Sequence, residues 1–266
     1  MVPTGGRVAV FTVDFGEELS GLSGALLERE TAFVEACARF LAADFAAQKV
    51  GIKRSKRLIA SLKKESGNGG NGGNGGNATP DVSLAATHFL KEGLVLVGHS
   101  MGGVVAAGAS LRLGTRAVIT ISTPHAEPPV PIDARAARFY KSVADGWSRR
   151  AVSASSDKGD ASRGPYVLAS VHGGRRDELI RPVLAIPPYD SGPNASVFTV
   201  LGNSVGGAWV SADHRCSLWC RQLVNAYAEA LVSWRDTTPS YVGYARVSIG
   251  MQAEAVTYVE ETFFFF

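Results

Sequence analysis

Three residues in this chain combine reactive side chains with a spacing that suits acyl transfer: Ser100, Asp177 and His214. Ser100 stands in Gly98-His99-Ser100-Met101-Gly102, directly after the apolar run LVLV at 94–97. A serine hydroxyl is a weak nucleophile and needs a fixed, exposed position beside a general base. A strand that turns through Gly-x-Ser-x-Gly into a helix supplies that position on a strained turn. The small-residue stretch after Ser100 predicts the helix. Its first free N–H, that of Met101, and its dipole then favour a developing oxyanion.

Where serine is presented in this way, an acid and then a histidine follow it along the chain. Three histidines follow Ser100: His125, His172 and His214. His125, in the proline-rich stretch 122–132, comes too early to be the base and is placed at a pocket rim or in a structural role. His172 ends the run YVLASVH and would have to take its acid from Asp145, Asp157 or Asp160. Asp177 lies just beyond that run, after Gly173-Gly174, which allow a sharp turn at the carboxyl edge of a sheet. His214 follows the later run SVFTVL and immediately precedes a helix, where the base belongs. The expected roles are Ser100 as nucleophile, His214 as general base and Asp177 as its orienting acid. Glu17 and Glu18, just after the first strand, are candidates for the substrate edge, and a preference for carboxylates at a helix start explains them equally well. This chemistry calls for no cofactor and no metal.

These residues must be held by alternating elements. Strands are expected over 7–13, 93–97, 116–121, 166–171 and 196–201, where β-branched and apolar residues run together. Helices are expected over 22–45, 52–62, 82–90, 104–112, 133–147 and 217–234. The alternation predicts an α/β fold with a mostly parallel sheet covered on both faces. Residues 67–77 (GNGGNGGNGGN) cannot bury apolar surface and read as a flexible surface insertion. Residues 148–164 read as loose. One catalytic domain over 1–235 is expected, and 236–266, ending in four phenylalanines, stays unassigned and suggests a truncated chain.

Composition narrows the class. The chain has 266 residues, is 45% hydrophobic and 19% charged, and carries a formal charge of +3, which fits a globular domain. The basic clusters at 53–64 and 135–150 do not interleave with aromatics, so they read as solvated faces and no nucleic-acid partner is expected. The sequence contains neither an 18-residue apolar run nor a visible secretion leader. Cys37, Cys216 and Cys220 lack metal-site spacing and read as small buried residues.

Several segments together resemble the GPI inositol-deacylase family: VDFGEELSG (13–21), VLVGHSMGGVVA (95–106), ISTPHAEPPVPID (121–133), VHGGRRDELI (171–180) and ADHRCSLWCRQL (212–223). The serine turn occurs in many lipases, but this ordered combination is specific, and the resemblance covers roughly 8–232. It implies an α/β-hydrolase-like domain lacking its N-terminal strands. It also implies an endoplasmic-reticulum membrane enzyme that removes the acyl chain from the inositol of GPI-anchored proteins, with Ser100, Asp177 and His214 as the triad. In the family, a strand and a glycine-rich loop upstream complete the oxyanion hole, and membrane spans flank the domain. This sequence starts after that loop and lacks those spans, so weak activity of the chain alone is expected. A soluble lipase or thioesterase of the same fold and an inactive scaffold are the alternatives.

Overall fold

The computed structural model describes residues 9–15, 20–49, 80–152, 166–237 and 263–265. Among the described residues, six strands form one wholly parallel sheet. In chain order they are β1 (Ala9–Phe11), β2 (Leu94–His99), β3 (Ala117–Ile121), β4 (Tyr166–His172), β5 (Ala195–Leu201) and β6 (Phe263–Phe265). Their spatial order is β1-β6-β2-β3-β4-β5. The helices are α1 (Gly24–Lys49), α2 (Pro80–His88), α3 (Met101–Leu113), α4 (Ala134–Val152), α5 (Cys216–Trp219) and α6 (Arg221–Thr237). This is the α/β-hydrolase-like architecture expected, and its parallel strands aim every β-to-α turn at one edge.

A parallel strand covered on both faces reads as a continuous apolar run, and β2 is such a strand. Side chains alternate across it. Leu94 and Leu96 join the large core with Leu27 and Val34 of α1, Val104 to Ala109 of α3, and Phe139, Val143 and Trp147 of α4. Val95 and Val97 pack on the other face with Ile121 and with Leu231 of α6. The helix directly after the serine turn, α3, is buried almost all round, which its small residues permit. An added Cβ at Gly108 would come within 3.1 Å of Phe139, so α4 could not close in over a bulkier residue. Gly114 ends α3 in the left-handed conformation (φ 74°).

Five expectations change. Helix α4 runs on to Val152, past the expected end at 147, because its last turn is anchored. Arg150 donates to Ser110 O at 2.6 Å and lies over the rings of Trp147 and Tyr166 at 5.0 and 4.3 Å. Arg150 is therefore no solvated charge; burial pushes its pKa down to about 10. The last expected helix is broken between α5 and α6 at Cys220, which is extended (ψ 110°). The helix expected over 82–90 ends in a wide turn over Phe89–Gly93. That turn buries Glu92 against Arg116 at 2.8 Å. Finally, Cys37 and Cys216 are only half-buried, and Cys220 alone of the three is buried.

Three of the four phenylalanines left unassigned, Phe263–Phe265, form β6, paired with Ala9–Phe11 on one side and Leu94–Leu96 on the other. The expected helix at 52–62, the insertion at 67–77 and most of the stretch at 148–164 lie outside the described residues. Among the described residues no helix is long and apolar enough to cross a membrane.

Candidate active site

Ser100 sits between β2 and α3 with φ 54° and ψ −129°. A non-glycine residue with positive φ is strained, and at a strand-to-helix turn that strain holds the side chain out at the sheet edge. The turn is tied to the neighbouring strand, since Ser100 N–H donates to Ile121 O at 2.9 Å. A Cβ on Gly98 would overlap Gly102 O and Gly103 Cα, so glycine is obligatory there. The second obligatory glycine is Gly103, where a Cβ would overlap the Thr123 side chain; at Gly102 it would meet nothing within 4 Å. Gly103→Ala should therefore cost about 2–3 kcal/mol by overpacking. Gly102→Ala should be neutral or stabilise by up to ~1 kcal/mol, because alanine is the better helix former. Urea unfolding of the two variants checks the contrast, and equal losses would contradict it.

Asp177 and His214 meet at the same edge. His214 Nδ1 lies 3.1 Å from Asp177 Oδ1 and 3.0 Å from Oδ2. A carboxylate only accepts, so Nδ1 carries the proton and Nε2 keeps its lone pair. Asp177 is 3% exposed. Burial raises its pKa, but hydrogen bonds from Ile180 N–H, His214 and the Ser122 hydroxyl outweigh this and hold it below the usual carboxylate value. Two glycines build the turn that delivers Asp177. Gly174 has φ 102°, and a Cβ on Gly173 would stand 2.6 Å from Ala212 O. Ala212 N–H in turn donates to Gly173 O at 2.7 Å, so the loop bearing His214 lies directly on the loop bearing Asp177.

Three residues that the sequence reading passed over complete this support. His99 Nε2 donates to His214 O at 2.9 Å, and the two imidazole rings lie 4.5 Å apart, tilted by 45°. The residue before Ser100 thus ties the elbow to the histidine loop. Burial lowers the His99 pKa, which favours the neutral ring beside His214. Ser217 donates to the same carbonyl at 2.7 Å, and Ser122, with φ 48°, places its Oγ 3.3 Å from Ser217 Oγ. His99 was visible as part of the serine motif. The two serines carry no sequence signal, because their roles arise from contacts 95 residues apart along the chain.

The other candidates lie elsewhere. His172 is fully buried, with Nε2 donating to Ile180 O at 2.7 Å and Nδ1 accepting from Gly174 N–H at 2.9 Å. Both ring nitrogens are engaged, so it braces the Asp177 turn and has no lone pair to act as a base. Asp145 is on α4, paired with Lys141 at 2.9 Å. His125 is 1% exposed and bound to Thr120 Oγ1 at 2.8 Å and Tyr189 Oη at 3.1 Å. Its position is structural, inside the core and away from any substrate edge. Glu17 and Glu18 lie outside the described residues. The described residues contain no group of three or more metal-ligating side chains that could hold an ion. The Met101 N–H opens α3, where the first N–H groups have no partner inside the helix.

Residues 4–234 match the family model of the PGAP1-like alpha/beta domain. The chain is 29% identical to the GPI inositol-deacylase of Xenopus laevis over 85% of its own length and 20% of that protein's. For the GPI inositol-deacylase of Mus musculus the identity is 29%, over 80% of this chain and 18% of the relative. For that of Chaetomium globosum it is 26%, over 83% and 17%. The chain thus spans a fifth or less of the length of these relatives.

Proposed function

The chain belongs to the PGAP1-like alpha/beta domain family, and we propose that it is the catalytic core of a serine esterase that hydrolyses the acyl ester on the inositol of GPI-anchored proteins, at the endoplasmic-reticulum membrane. What supports the reading above all is the pairing of Asp177 with His214 Nδ1, which leaves His214 Nε2 as a base at the edge where Ser100 is strained outward. In the proposed reaction Ser100 Oγ attacks the ester carbonyl while His214 Nε2 takes its proton. The carbonyl π electrons move to oxygen, and the Met101 N–H stabilises the oxyanion. Collapse expels the inositol oxygen, which takes the proton back from His214 and leaves an acyl-Ser100 ester. Water, deprotonated by His214, then releases the fatty acid and frees Ser100. Asp177 stays ionised and stabilises the imidazolium in both halves.

Acyl release from an inositol-acylated GPI lipid in mixed micelles, by the parent and by Ser100→Ala side by side, tests the reading. Release by the parent alone is expected. Equal rates from both would remove Ser100 as nucleophile. Parent activity on simple lipid esters with none on the inositol-linked acyl chain would move the function to a general lipase.

A further inference from the structure

We propose that Ser122 is a positioning residue of the triad: its strained backbone aims its hydroxyl at the Asp177 carboxylate and so fixes the acid in register with Ser100. The proposal deepens the esterase reading of the same site and rests on it. Among the described residues three non-glycine residues have positive φ, and two of them, Ser100 and Ser122, directly follow the neighbouring strands β2 and β3. The strain at Ser100 presents the proposed nucleophile. Ser122, at φ 48°, is fully buried and presents nothing to solvent. A glycine would adopt this conformation without cost. A serine held there against strain points to a use for its side chain. Its peptide neighbours are equally engaged. Ser100 N–H donates to Ile121 O at 2.9 Å, and Ser122 N–H donates to Val171 O at 2.8 Å. Ser122 thus stands between the turn that carries Ser100 and the strand that leads to Asp177.

The hydroxyl has two acceptors within reach, the Asp177 carboxylate and Ser217 Oγ, and one proton to give. Ser217 Oγ lies 3.3 Å away, and Ser217 gives its own proton to His214 O at 2.7 Å. A normal O–H···O bond is about 2.5–3.0 Å long, and a carboxylate is the stronger acceptor, so the Ser122 proton goes to Asp177. The other groups around the carboxylate fix different relations. Leu179 and Ile180 N–H, at 3.2 and 2.9 Å, belong to the turn that follows Asp177 and orient the carboxylate only against its own loop. His214 Nδ1 comes from the loop that the acid must position. His172 Nε2, 3.7 Å from Oδ2, donates instead to Ile180 O. Among the described residues, Ser122 is therefore the donor that ties Asp177 to the end of β3, where Ser100 is anchored as well. Without it the Asp177–His214 pair would still form, but it would be free to shift as a unit against Ser100.

The test compares Ser122→Gly, Ser122→Ala and Ser122→Cys in the whole chain, with labelling of Ser100 by a phosphonate ester as the readout. Glycine relieves the strain and alanine keeps it, so Ser122→Gly should be the more stable of the two in urea. Both lose the hydroxyl. Both should therefore label about tenfold more slowly than the parent at saturating probe, the worth of one hydrogen bond to a charged group, with the half-saturating concentration unchanged. Ser122→Cys, whose thiol is a weaker donor on a similar shape, should fall between them and the parent. If Ser122→Ala does not fold, Ser122→Gly and Ser122→Cys carry the comparison. A second readout needs no reaction. In the Ser100→Ala background, the Nδ1 proton of His214 is followed by nuclear magnetic resonance. A carboxylate with one donor fewer holds that proton more tightly, so adding Ser122→Gly should move the resonance downfield, which a merely space-filling serine would not do. Parental labelling in either hydroxyl-free variant, or a resonance that does not move downfield, overturns the proposal. A parent that fails to label while the resonance moves removes the nucleophile and leaves the link from Ser122 to Asp177. Labelling at Ser100 with a resonance that stays in place removes the role of Ser122 alone.

Discussion

Asp177→Asn is expected to slow acylation of Ser100 on the order of 10⁴-fold while leaving the fold intact. In the structure Asp177 Oδ1 accepts the N–H groups of Leu179 and Ile180 at 3.2 and 2.9 Å. An asparagine would keep its carbonyl oxygen on those two donors. Its amide nitrogen would then face His214 Nδ1, the atom that now donates to the carboxylate. Two donors cannot pair, so His214 would move its proton to Nε2 and lose the lone pair that takes the serine proton in the proposed reaction. The same substitution removes the negative charge that stabilises the imidazolium. A fluorescent phosphonate ester used in excess over the protein reads the acylation step alone and does not depend on turnover. The parent should label at Ser100, Ser100→Ala should not label, and Asp177→Asn should label slowly. Labelling of Asp177→Asn at the parental rate would show that another group orients the base.

Acidification should unfold this protein early, and one residue dominates the effect. His125 is wholly buried between Thr120 and Tyr189, and burial lowers its pKa to about 3. In the unfolded chain the same ring titrates near its ordinary value of about 6.5. The folded value is the lower one, so below pH 6.5 the unfolded chain binds a proton that the native protein refuses. The stability held by the neutral ring is thus complete above about pH 6.5. It falls by about 1.4 kcal/mol per pH unit, about 4–5 kcal/mol in all by pH 3. His99, whose pKa burial also lowers, adds to the loss in the same direction. Asp177, held below its unfolded value, contributes stability that disappears as pH falls through its folded pKa, so it deepens the loss at the acid end. Urea unfolding at pH 7, 6 and 5 measures this. His125→Gln should be less stable than the parent at pH 7, because a buried hydrogen-bonded pair is disturbed, by about 1–3 kcal/mol. Between pH 7 and 5 it should lose about 2 kcal/mol less than the parent does. Parallel losses in the two proteins would show that His125 is protonated in the native state.

Much of this site is local and therefore legible in sequence. The strand that leads into Ser100, the helix that follows it and the glycine at 98 depend on residues within a few positions of one another. The continuous apolar run before Ser100 and the small-residue run after it make both elements readable. The order serine, acid, histidine followed from connectivity, because each loop must leave the same edge of a parallel sheet. The choice of Asp177 and His214 over Asp145 and His172 also came from position along the chain. The structure adds a reason absent from the sequence: His172 spends both ring nitrogens on the backbone of Ile180 and Gly174.

Other features were beyond any local pattern. Whether His125 sits at a rim or in the core depends on Tyr189, 64 residues away. The extension of α4 to Val152 depends on Ser110 and Tyr166, and the break at Cys220 is not announced by glycine or proline. The position of β6 between β1 and β2 pairs residues about 170 and 250 positions apart. The sequence alone thus determined which chemistry is offered and on which strands it is carried, because periodicity and turn chemistry act over a few residues. Only the tertiary structure decided which groups are bound, buried or free. A side chain's protonation, tautomer and reach are set by neighbours that packing, not sequence order, brings within 3 Å.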